Sequence, residues 1–368
     1  MHKILLRVLA AAAFLSWTGT LHAQGEVIVP SPDDRTSRVG TRGANFLHIG
    51  VGARPQALAG AAVGVVEGPA AMFWNPANIA SGEGVGAFVS YMQLYGNSGI
   101  TNTGGALTIP IGQGALGFGI QQFSSGSIER TTEQAPTGND PTFPGDFKWT
   151  ATALSAFYAR NVTDRLAAAI GVRYATEGID FAENSYFGAD IATRFRTGLY
   201  GLTVGASLQN VGTSNNFSGV GIQRAVTQPR YNGAPTGRDI PVAFNTRDAQ
   251  MPTTFQFGVL SNLVGDAEAL VARSGTHTLT GEIDFMDAVD TDLQTAIGIE
   301  YSFRHMGFLR IGKRWFNEQH APWSFGDGAS FGGGVRLPMA GRLLTLDYAF
   351  VKMGELQHNQ VLSFELGR

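Results

Sequence analysis

The feature that most constrains the fold of this chain is an alternation of apolar and polar residues that recurs from residue 85 to the end. One clear stretch has Leu166, Ala168, Ile170, Val172 and Tyr174 alternating with Ala167, Ala169, Gly171, Arg173 and Ala175. Successive side chains of a β-strand leave opposite faces, so a period of two indicates a strand with one apolar and one polar face. Many such strands in one chain require a fold that covers every apolar face.

The alternation predicts about fourteen strands, an even number, with lengths of about ten to thirteen residues that suit a tilted membrane crossing. Their predicted spans are 85–95, 101–110, 114–124, 148–160, 165–178, 184–196, 199–210, 253–263, 275–286, 292–304, 307–316, 329–338, 342–353 and 357–367. The long links 125–147, 211–252 and 317–328 all follow odd-numbered strands, whereas even-numbered strands are mostly followed by short links. This asymmetry is typical of outer-membrane barrels. The exception is the even-side link 264–274, where a short helix is predicted over 267–272.

A soluble β-sandwich would also alternate, with its apolar faces packed against each other. Its outer faces would carry many charges, but only 15% of this chain is charged, against a usual quarter. The polar faces instead carry Gly, Ala, Gln, Thr and Ser, with sparse charges at Arg173, Asp190, Arg194, Glu282, Asp284, Glu300, Arg310, Arg314, Arg336, Asp347 and Glu365. This favours an all-β fold, a transmembrane antiparallel β-barrel of about 14 strands with a narrow lumen.

The residues before the first strand divide into three parts. Residues 1–23 are predicted to be a cleaved secretory signal peptide, with Lys3 and Arg7 flanking the start of an apolar stretch. Residues 24–42 are polar and are predicted to be a flexible lead. Residues 43–83 are small and apolar, and are predicted to form a hatch, or plug, of short helices inside a barrel made by residues 84–368. A short helix is predicted over 70–73, between Pro69 and Pro76.

Several chemistries are excluded by residue counts and spacing. The chain has no Cys, which excludes disulfides, Cys-based metal sites and a thiol nucleophile. A net charge of −3 without a Lys/Arg cluster argues against nucleic acid as a partner. No His-x-x-x-His spacing occurs, and neither a metal nor a cofactor is expected. An enzyme is not expected either, because His277 lies on the opposite strand face from Glu282 and Asp284.

Motifs in the predicted hatch add a family resemblance. They are Asn45-Phe46-Leu47-His48-Ile49-Gly50-Val51-Gly52-Ala53-Arg54, Ala59-Gly60-Ala61 and Phe73-Trp74-Asn75-Pro76-Ala77, with related runs at 206–212 and 251–255. In this order they resemble the opening of the PorV/PorQ family of bacterial outer-membrane proteins, which is similar to the FadL long-chain fatty acid transporters. The resemblance implies localisation in the bacterial outer membrane, contact with its lipid, and a hatch motif of Gly52, Arg54, Trp74, Asn75, Pro76 and Ala77. From the residues alone, Asn75-Pro76 is either a hatch anchor or an ordinary helix stop.

The resemblance implies two functions of different classes. The first is a role in type IX secretion, in which the protein binds the C-terminal signal domain of a cargo protein at the translocon and passes it to an attachment complex. Its candidate partner-binding loop is 211–252, with Arg224, Arg230, Arg238 and Arg247. The second is FadL-like transport of hydrophobic small molecules, with a candidate ligand pocket at Phe46, Leu47, Met72 and Phe73. Both functions are compatible with a hatch, and a purely structural barrel is a third alternative.

Overall fold

A computed structural model of the chain has fourteen antiparallel strands closed into a barrel around an N-terminal plug. The structure describes residues 40–141, 145–227, 239–265, 268–316, 327–339 and 341–367. The predicted signal peptide and most of the predicted lead lie outside these residues. The predicted all-β barrel of about 14 strands is confirmed.

The barrel strands are numbered in chain order. They are β1 Gly86–Gln93, β2 Thr101–Ile111, β3 Gly114–Ser124, β4 Trp149–Asn161, β5 Leu166–Ile179, β6 Ala182–Arg196, β7 Leu202–Gly212, β8 Thr254–Gly265, β9 His277–Ala288, β10 Gln294–Phe303, β11 Gly307–Phe316, β12 Ala329–Met339, β13 Arg342–Lys352 and β14 His358–Gly367. Each strand pairs with its neighbours in sequence, and β1 also pairs with β14 to close the barrel. The strand edges are therefore all paired, as a membrane barrel requires.

One bulge interrupts this regular ladder. Ala189 pairs with Val211 and Ile191 with Leu208, so β7 carries one residue more than β6 at this point. The extra residue turns the side chains of both Gln209 and Asn210 toward the lumen. Each of the two residues is at most 4% exposed. The buried Asp190 carboxylate accepts the Asn210 backbone N–H at 2.6 Å and thereby satisfies a donor that the ladder leaves unpaired.

The outer surface of the barrel is apolar. Outward side chains that are more than half exposed include Val89, Ile170, Phe187, Ile191, Leu309 and Phe331. The charged side chains that alternate with such residues, Asp190, Glu282 and Arg310 among them, are buried on the lumenal face. Apolar outside and polar inside is the reverse of a water-soluble sheet and fits a lipid surround. The sandwich alternative is wrong, because the strands close on one another rather than forming two packed sheets.

The connections differ between the two ends of the barrel, as the strand parity predicts. The long connections lie at one end, here called the loop end, and the tight turns lie at the other, the turn end. The connection after β7 holds a hairpin of Gln223–Thr227 with Asp239–Ala243, preceded by a 3₁₀ turn at Val220–Ile222. It also pairs Ser214–Asn215 with Ala249–Gln250.

One local prediction fails at the turn end. The helix predicted over 267–272 is wrong for the described residues, since Ala272–Arg273 instead pairs in parallel with the end of β8. The backbone at the end of β8 has N–H and C=O groups that can pair with another strand. The Ala and Leu residues of this link do not indicate that pairing in the sequence.

No helix within the described ranges is long and apolar enough to span a membrane.

The plug contains four short helical segments, joined by irregular chain, inside the lumen. They are 3₁₀ helices at Asn45–His48, Pro69–Phe73 and Pro76–Ser81 and an α-helix at Ala53–Ala57. The plug starts at the loop end, where the Gly43 N–H donates to the Gln250 carbonyl at 3.0 Å. It finishes at the turn end, where Asn161 Nδ2 donates to the Ala80 carbonyl at 2.9 Å. The plug therefore runs along the whole lumen before the chain enters β1.

Small residues on the lumenal wall make room for the plug. A Cβ added at Gly117 would lie 2.8 Å from Met72 Sδ, and one added at Gly312 would overlap the Leu58 backbone. Ala159, Ala167 and Ala192 of the wall pack in the same apolar cluster as the plug. The high glycine content thus lets backbone approach backbone, which a wall of larger side chains would prevent.

The β1–β14 closure predicts a specific cross-link in this cysteine-free chain. Val89 lies directly opposite Phe364, so Val89→Cys with Phe364→Cys places the two sulfurs within disulfide range. Mild oxidation of the folded protein in lipid is expected to join them, detected as an intramolecular gel shift that reductant reverses. The control, Val89→Cys with Leu362→Cys, sets the pair on a diagonal of about 7–8 Å and is expected to cross-link poorly. Equal cross-linking of the two pairs would contradict the register.

Candidate functional site: the plug and the cavities on its loop side

Two carboxylates of β9 hold the middle of the plug. Asp284 Oδ2 accepts the backbone N–H groups of Ala62 and Val63 at 2.6 and 2.9 Å. Glu282 accepts the N–H of Gly64 and, at 3.0 Å, that of Val65. Four consecutive plug amides therefore point at two wall acids that project from one strand face. This segment of the plug is neither helix nor strand, so its donors depend on the wall for partners.

A buried ion cluster holds the start of the plug. Arg54 of the α-helix forms a double hydrogen bond with Glu300 of β10, at 2.8 and 2.7 Å. Arg310 of β11 donates to Glu300 at 2.5 Å and to Asp347 of β13 at 2.6 Å. Because Glu300 and Asp347 are both at most 7% exposed, each carboxylate needs these cations as partners. The sparse lumenal charges of both signs thus pair with each other and with the plug.

The Trp74-Asn75 pair links the plug to the opposite wall. Trp74 Nε1 donates to the Val51 carbonyl at 2.8 Å, and the Trp74 carbonyl accepts from Gln209 Nε2 at 2.6 Å. Asn75 Nδ2 donates to two carbonyls, Val63 of the plug at 3.1 Å and Thr193 of β6 at 3.0 Å. One side chain therefore joins two parts of the plug to the wall.

The residues around that pair shape the chain locally. Asn75 Oδ1 accepts the Ala77 N–H at 3.1 Å and caps the 3₁₀ helix that begins at Pro76. Ala77 is fully buried. Gly52 has a φ of 105° before the α-helix, a region that favours glycine. Its position starts the helix that carries Arg54 to Glu300.

Two cavities lie on the loop side of the plug. The larger has a volume of about 220 Å³ and an apolar lining of Ile49, Met92, Leu94, Val351 and Met353. Its polar lining includes Tyr95, Gln294, Arg314 and Asn359. Tyr95 lies in the turn after β1, where burial raises the pKa of its phenol, so the group stays a neutral hydroxyl. The lining combines an apolar body with a few polar groups, as ligand sites usually do.

The smaller cavity has a volume of about 40 Å³. It lies between the plug residues Leu47 and Trp74 and the wall of β7 to β11. Five residues line both cavities: His48, Gly50, Met286, Gln294 and Arg314. These five residues therefore form a boundary that the two cavities share, on the loop side of the middle of the plug.

The structure separates the four residues of the predicted ligand pocket. Leu47 and Phe73 line the smaller cavity. Phe46 and Met72 are at most 1% exposed and pack within the two apolar core clusters. A 3₁₀ segment of four or five residues is too short for a periodic pattern. Its sequence therefore does not show which apolar side chains pack against the wall. The sequence therefore could not separate lining from core.

The other predicted residues are distributed as follows. Arg224 and Arg247 are exposed in the long connection after β7, and Arg224 lies in its hairpin. Arg230 and Arg238 lie outside the described residues. His277 is exposed and its Nδ1 lies 2.7 Å from the Tyr301 hydroxyl, whereas Glu282 and Asp284 face the lumen. Among the residues that the structure describes, no group of three or more His, Asp or Glu side chains is arranged to hold a metal ion.

Sequence reasoning missed the role of Glu282 and Asp284 as plug acceptors. They were recognised only as lumenal charges and as unsuitable partners for His277. A signal was present in the sequence. Two acids two residues apart project from the same strand face, and buried carboxylates need hydrogen-bond donors nearby. The partner, four amides of residues 62–65, has no side-chain signature in a sequence.

No protein-family model matches the sequence, and no curated protein matches it. Solved structures do resemble it. The toluene transporter TbuX of Ralstonia pickettii aligns with a TM-score of 0.55 and 14% identity, over 86% of this chain and 98% of that one. The toluene transporter TodX of Pseudomonas putida gives 0.53 and 11%, over 86% and 96%. A Pseudomonas aeruginosa FadL homologue gives 0.51 and 12%, over 86% and 97%.

These likenesses concern the fold, because the identities are low. The chain shares the fold of these barrels, and its apolar outer surface indicates a β-barrel that spans a lipid membrane. The narrower resemblance to the PorV/PorQ family rests on the sequence motifs alone.

The acceptors for the plug amides predict a leak when they are removed. Replacing Glu282 and Asp284 together with Ala leaves four N–H groups without charged acceptors and opens space that water can enter. Proteoliposomes of this variant are expected to swell faster in arabinose than those of the wild type. Asp287→Ala is the matched control, because Asp287 is exposed on the opposite face of β9. Equal swelling of all three proteins would mean that the carboxylates do not hold the plug.

Asn75→Asp tests whether Asn75 anchors the plug, because the substitution leaves the shape of the side chain almost unchanged. The substitution replaces the Nδ2 donor with an oxygen that faces the Val63 and Thr193 carbonyls. The free energy of unfolding is expected to fall by about 3 kcal/mol, the scale for a buried charged group left without its bonds. Urea unfolding in lipid vesicles measures it, with the exposed Asn97→Asp as control. If both variants unfold like the wild type, Asn75 is an ordinary helix stop.

Proposed function

We propose that the protein is an outer-membrane channel that admits small hydrophobic molecules to the cavity on the loop side of its plug. The observation that carries the proposal is the apolar-lined space of about 220 Å³ between the plug and the ends of β1, β13 and β14. It is closed toward the turn end by a plug that the wall holds at many points.

The size of the larger cavity supports a ligand of one aromatic ring. An apolar cavity of about 150 Å³ is large enough to bind benzene, and this one is larger. Two of the solved structures with the same architecture are toluene transporters.

The lining also supports an apolar ligand rather than a salt or sugar. Met92 and Leu94 are at most 2% exposed and come from the end of β1, and Val351 and Met353 come from the end of β13. Thioether side chains adapt their shape to different ligands. The hydroxyl groups of a sugar that faced Met92, Leu94, Val351 and Met353 would have no hydrogen-bond partners there.

A second candidate function is a role in type IX secretion, in which cargo signal domains bind at the loop end. It is supported by the PorV/PorQ-like motifs and by the exposed hairpin that carries Arg224. Neither a secretion partner nor a cargo domain appears among the likenesses reported above. Purification from solubilised outer membranes distinguishes the two proposals: a translocon barrel that co-purifies supports secretion, and the barrel alone with a bound hydrophobic ligand supports transport.

Binding of para-fluorotoluene, followed by fluorine NMR of the protein in detergent, tests the transport proposal. Saturable line broadening is expected for the wild type. Met353→Trp should abolish it, because the indole fills the larger cavity from its rim. Met339→Trp is the matched control: Met339 is exposed at the turn end, so the ligand should bind this variant as it binds the wild type, and partition into micelles is the same in all samples. Equal signals from the two variants would overturn the proposal.

A further inference from the structure

The smaller cavity is lined by acceptor atoms that have no donors. Asn210 Oδ1, Gln256 Oε1 and Gln294 Oε1 are buried without a hydrogen-bond partner among the described residues. All three residues line this cavity of about 40 Å³. Asn210 and Gln256 are 2% and 9% exposed. A buried amide oxygen without a donor is costly, so such a group indicates something that fills the space beside it.

The strand register places these amides side by side on the lumenal wall. Gln256 lies opposite Met286, and Met286 lies opposite Gln294. The two glutamines are thus two strands apart, about 10 Å at the backbone, with the methionine between them. Asn210 joins them from the β7 bulge, which turns it inward. The bulge therefore adds an acceptor that a regular strand would have pointed away from the lumen.

The nitrogen atoms of two of these amides contact acceptors on the wall. Asn210 Nδ2 donates to the Pro252 carbonyl at 3.5 Å, so a reversed amide would set two oxygens against each other. Gln256 Nε2 lies 3.7 Å from Met286 Sδ, a weak acceptor. Both nitrogens thus have partners on the wall, and both oxygens remain for a donor in the cavity.

The charges around the smaller cavity disfavour an anion. Asp284 lines it and already accepts two plug amides. Arg314 also lines it, but its Nε donates to the Ala59 carbonyl at 2.6 Å. A carboxylate would therefore face three amide oxygens and the Asp284 carboxylate, with the Arg314 guanidinium as an opposing positive charge. The groups that fit are donors, such as a hydroxyl or an amine.

We propose that the protein selects small amphiphiles, with an apolar ring in the larger cavity and a hydroxyl or amine donor at the amide oxygens of Asn210, Gln256 and Gln294. The inference rests on the proposed function, because it assigns the polar end of the same ligand. Gln294 and Met286 line both cavities, so a ring held in the larger cavity beside them has its substituent next to the smaller one. A hydroxyl tethered to a bound ring donates one of the hydrogen bonds that water supplies at these amide oxygens, whereas a methyl group donates none.

The test compares para-fluorobenzyl alcohol with para-fluorotoluene by the same fluorine NMR titration, each corrected for its own partition into empty micelles. The alcohol is expected to bind about tenfold more tightly, the scale of one or two buried hydrogen bonds. Gln256→Leu is nearly isosteric, removes one acceptor and changes a residue that lines only the smaller of the two cavities. It should reduce the advantage of the alcohol at least about threefold while leaving toluene binding unchanged.

Controls separate this inference from the function on which it rests. Gln122→Leu changes an exposed glutamine of β3 and should keep the full advantage of the alcohol. Para-fluorobenzoate should bind no better than the toluene. Equal affinity for alcohol and toluene, with toluene binding still lost in Met353→Trp, would overturn the amphiphile inference and leave the channel in place. Saturable binding of neither ligand would overturn both.

Discussion

The structure depends on hydrogen bonds between wall carboxylates and the backbone of the plug. A plug of short 3₁₀ helices and irregular chain cannot satisfy its own amides, and the inside of a narrow barrel gives them little water. Glu282 and Asp284 supply the acceptors for residues 62–65, while Glu300 pairs with Arg54. These contacts also satisfy the wall, since Glu282 and Asp284 accept their hydrogen bonds from the plug backbone. The plug and the barrel wall therefore depend on each other for hydrogen-bond partners.

The fold could be predicted closely because its signal is local. Alternation in single segments such as 165–178 and 184–196 identified strands now seen at Leu166–Ile179 and Ala182–Arg196. The parity of the links then gave the two ends of the barrel. The link after β8 was mispredicted because an Ala- and Leu-containing stretch has the composition of a helix, and its pairing partner lies in another strand.

The site was less predictable because its contacts join residues that are far apart in the sequence. The Asn75 motif was recognised, but nothing in the sequence shows that its amide reaches Thr193. Phe46 and Met72 look like pocket residues by composition and prove to be core, since the wall facing them is made of small residues such as Gly117. The orphan oxygens of Gln256 and Gln294 depend on which residues lie opposite Met286, which only the register determines. The loop-side cavities thus emerge from the assembled barrel, not from any one segment.

The most direct test of this account is hydrogen–deuterium exchange of the protein in lipid nanodiscs, read on peptides that cover residues 61–66. The account predicts exchange as slow as that of the strand β9, because each of these amides from 62 to 65 is bound to a buried carboxylate. Exchange as fast as that of the exposed connection between β7 and β8 would contradict it, and would mean that the plug is not held by the wall.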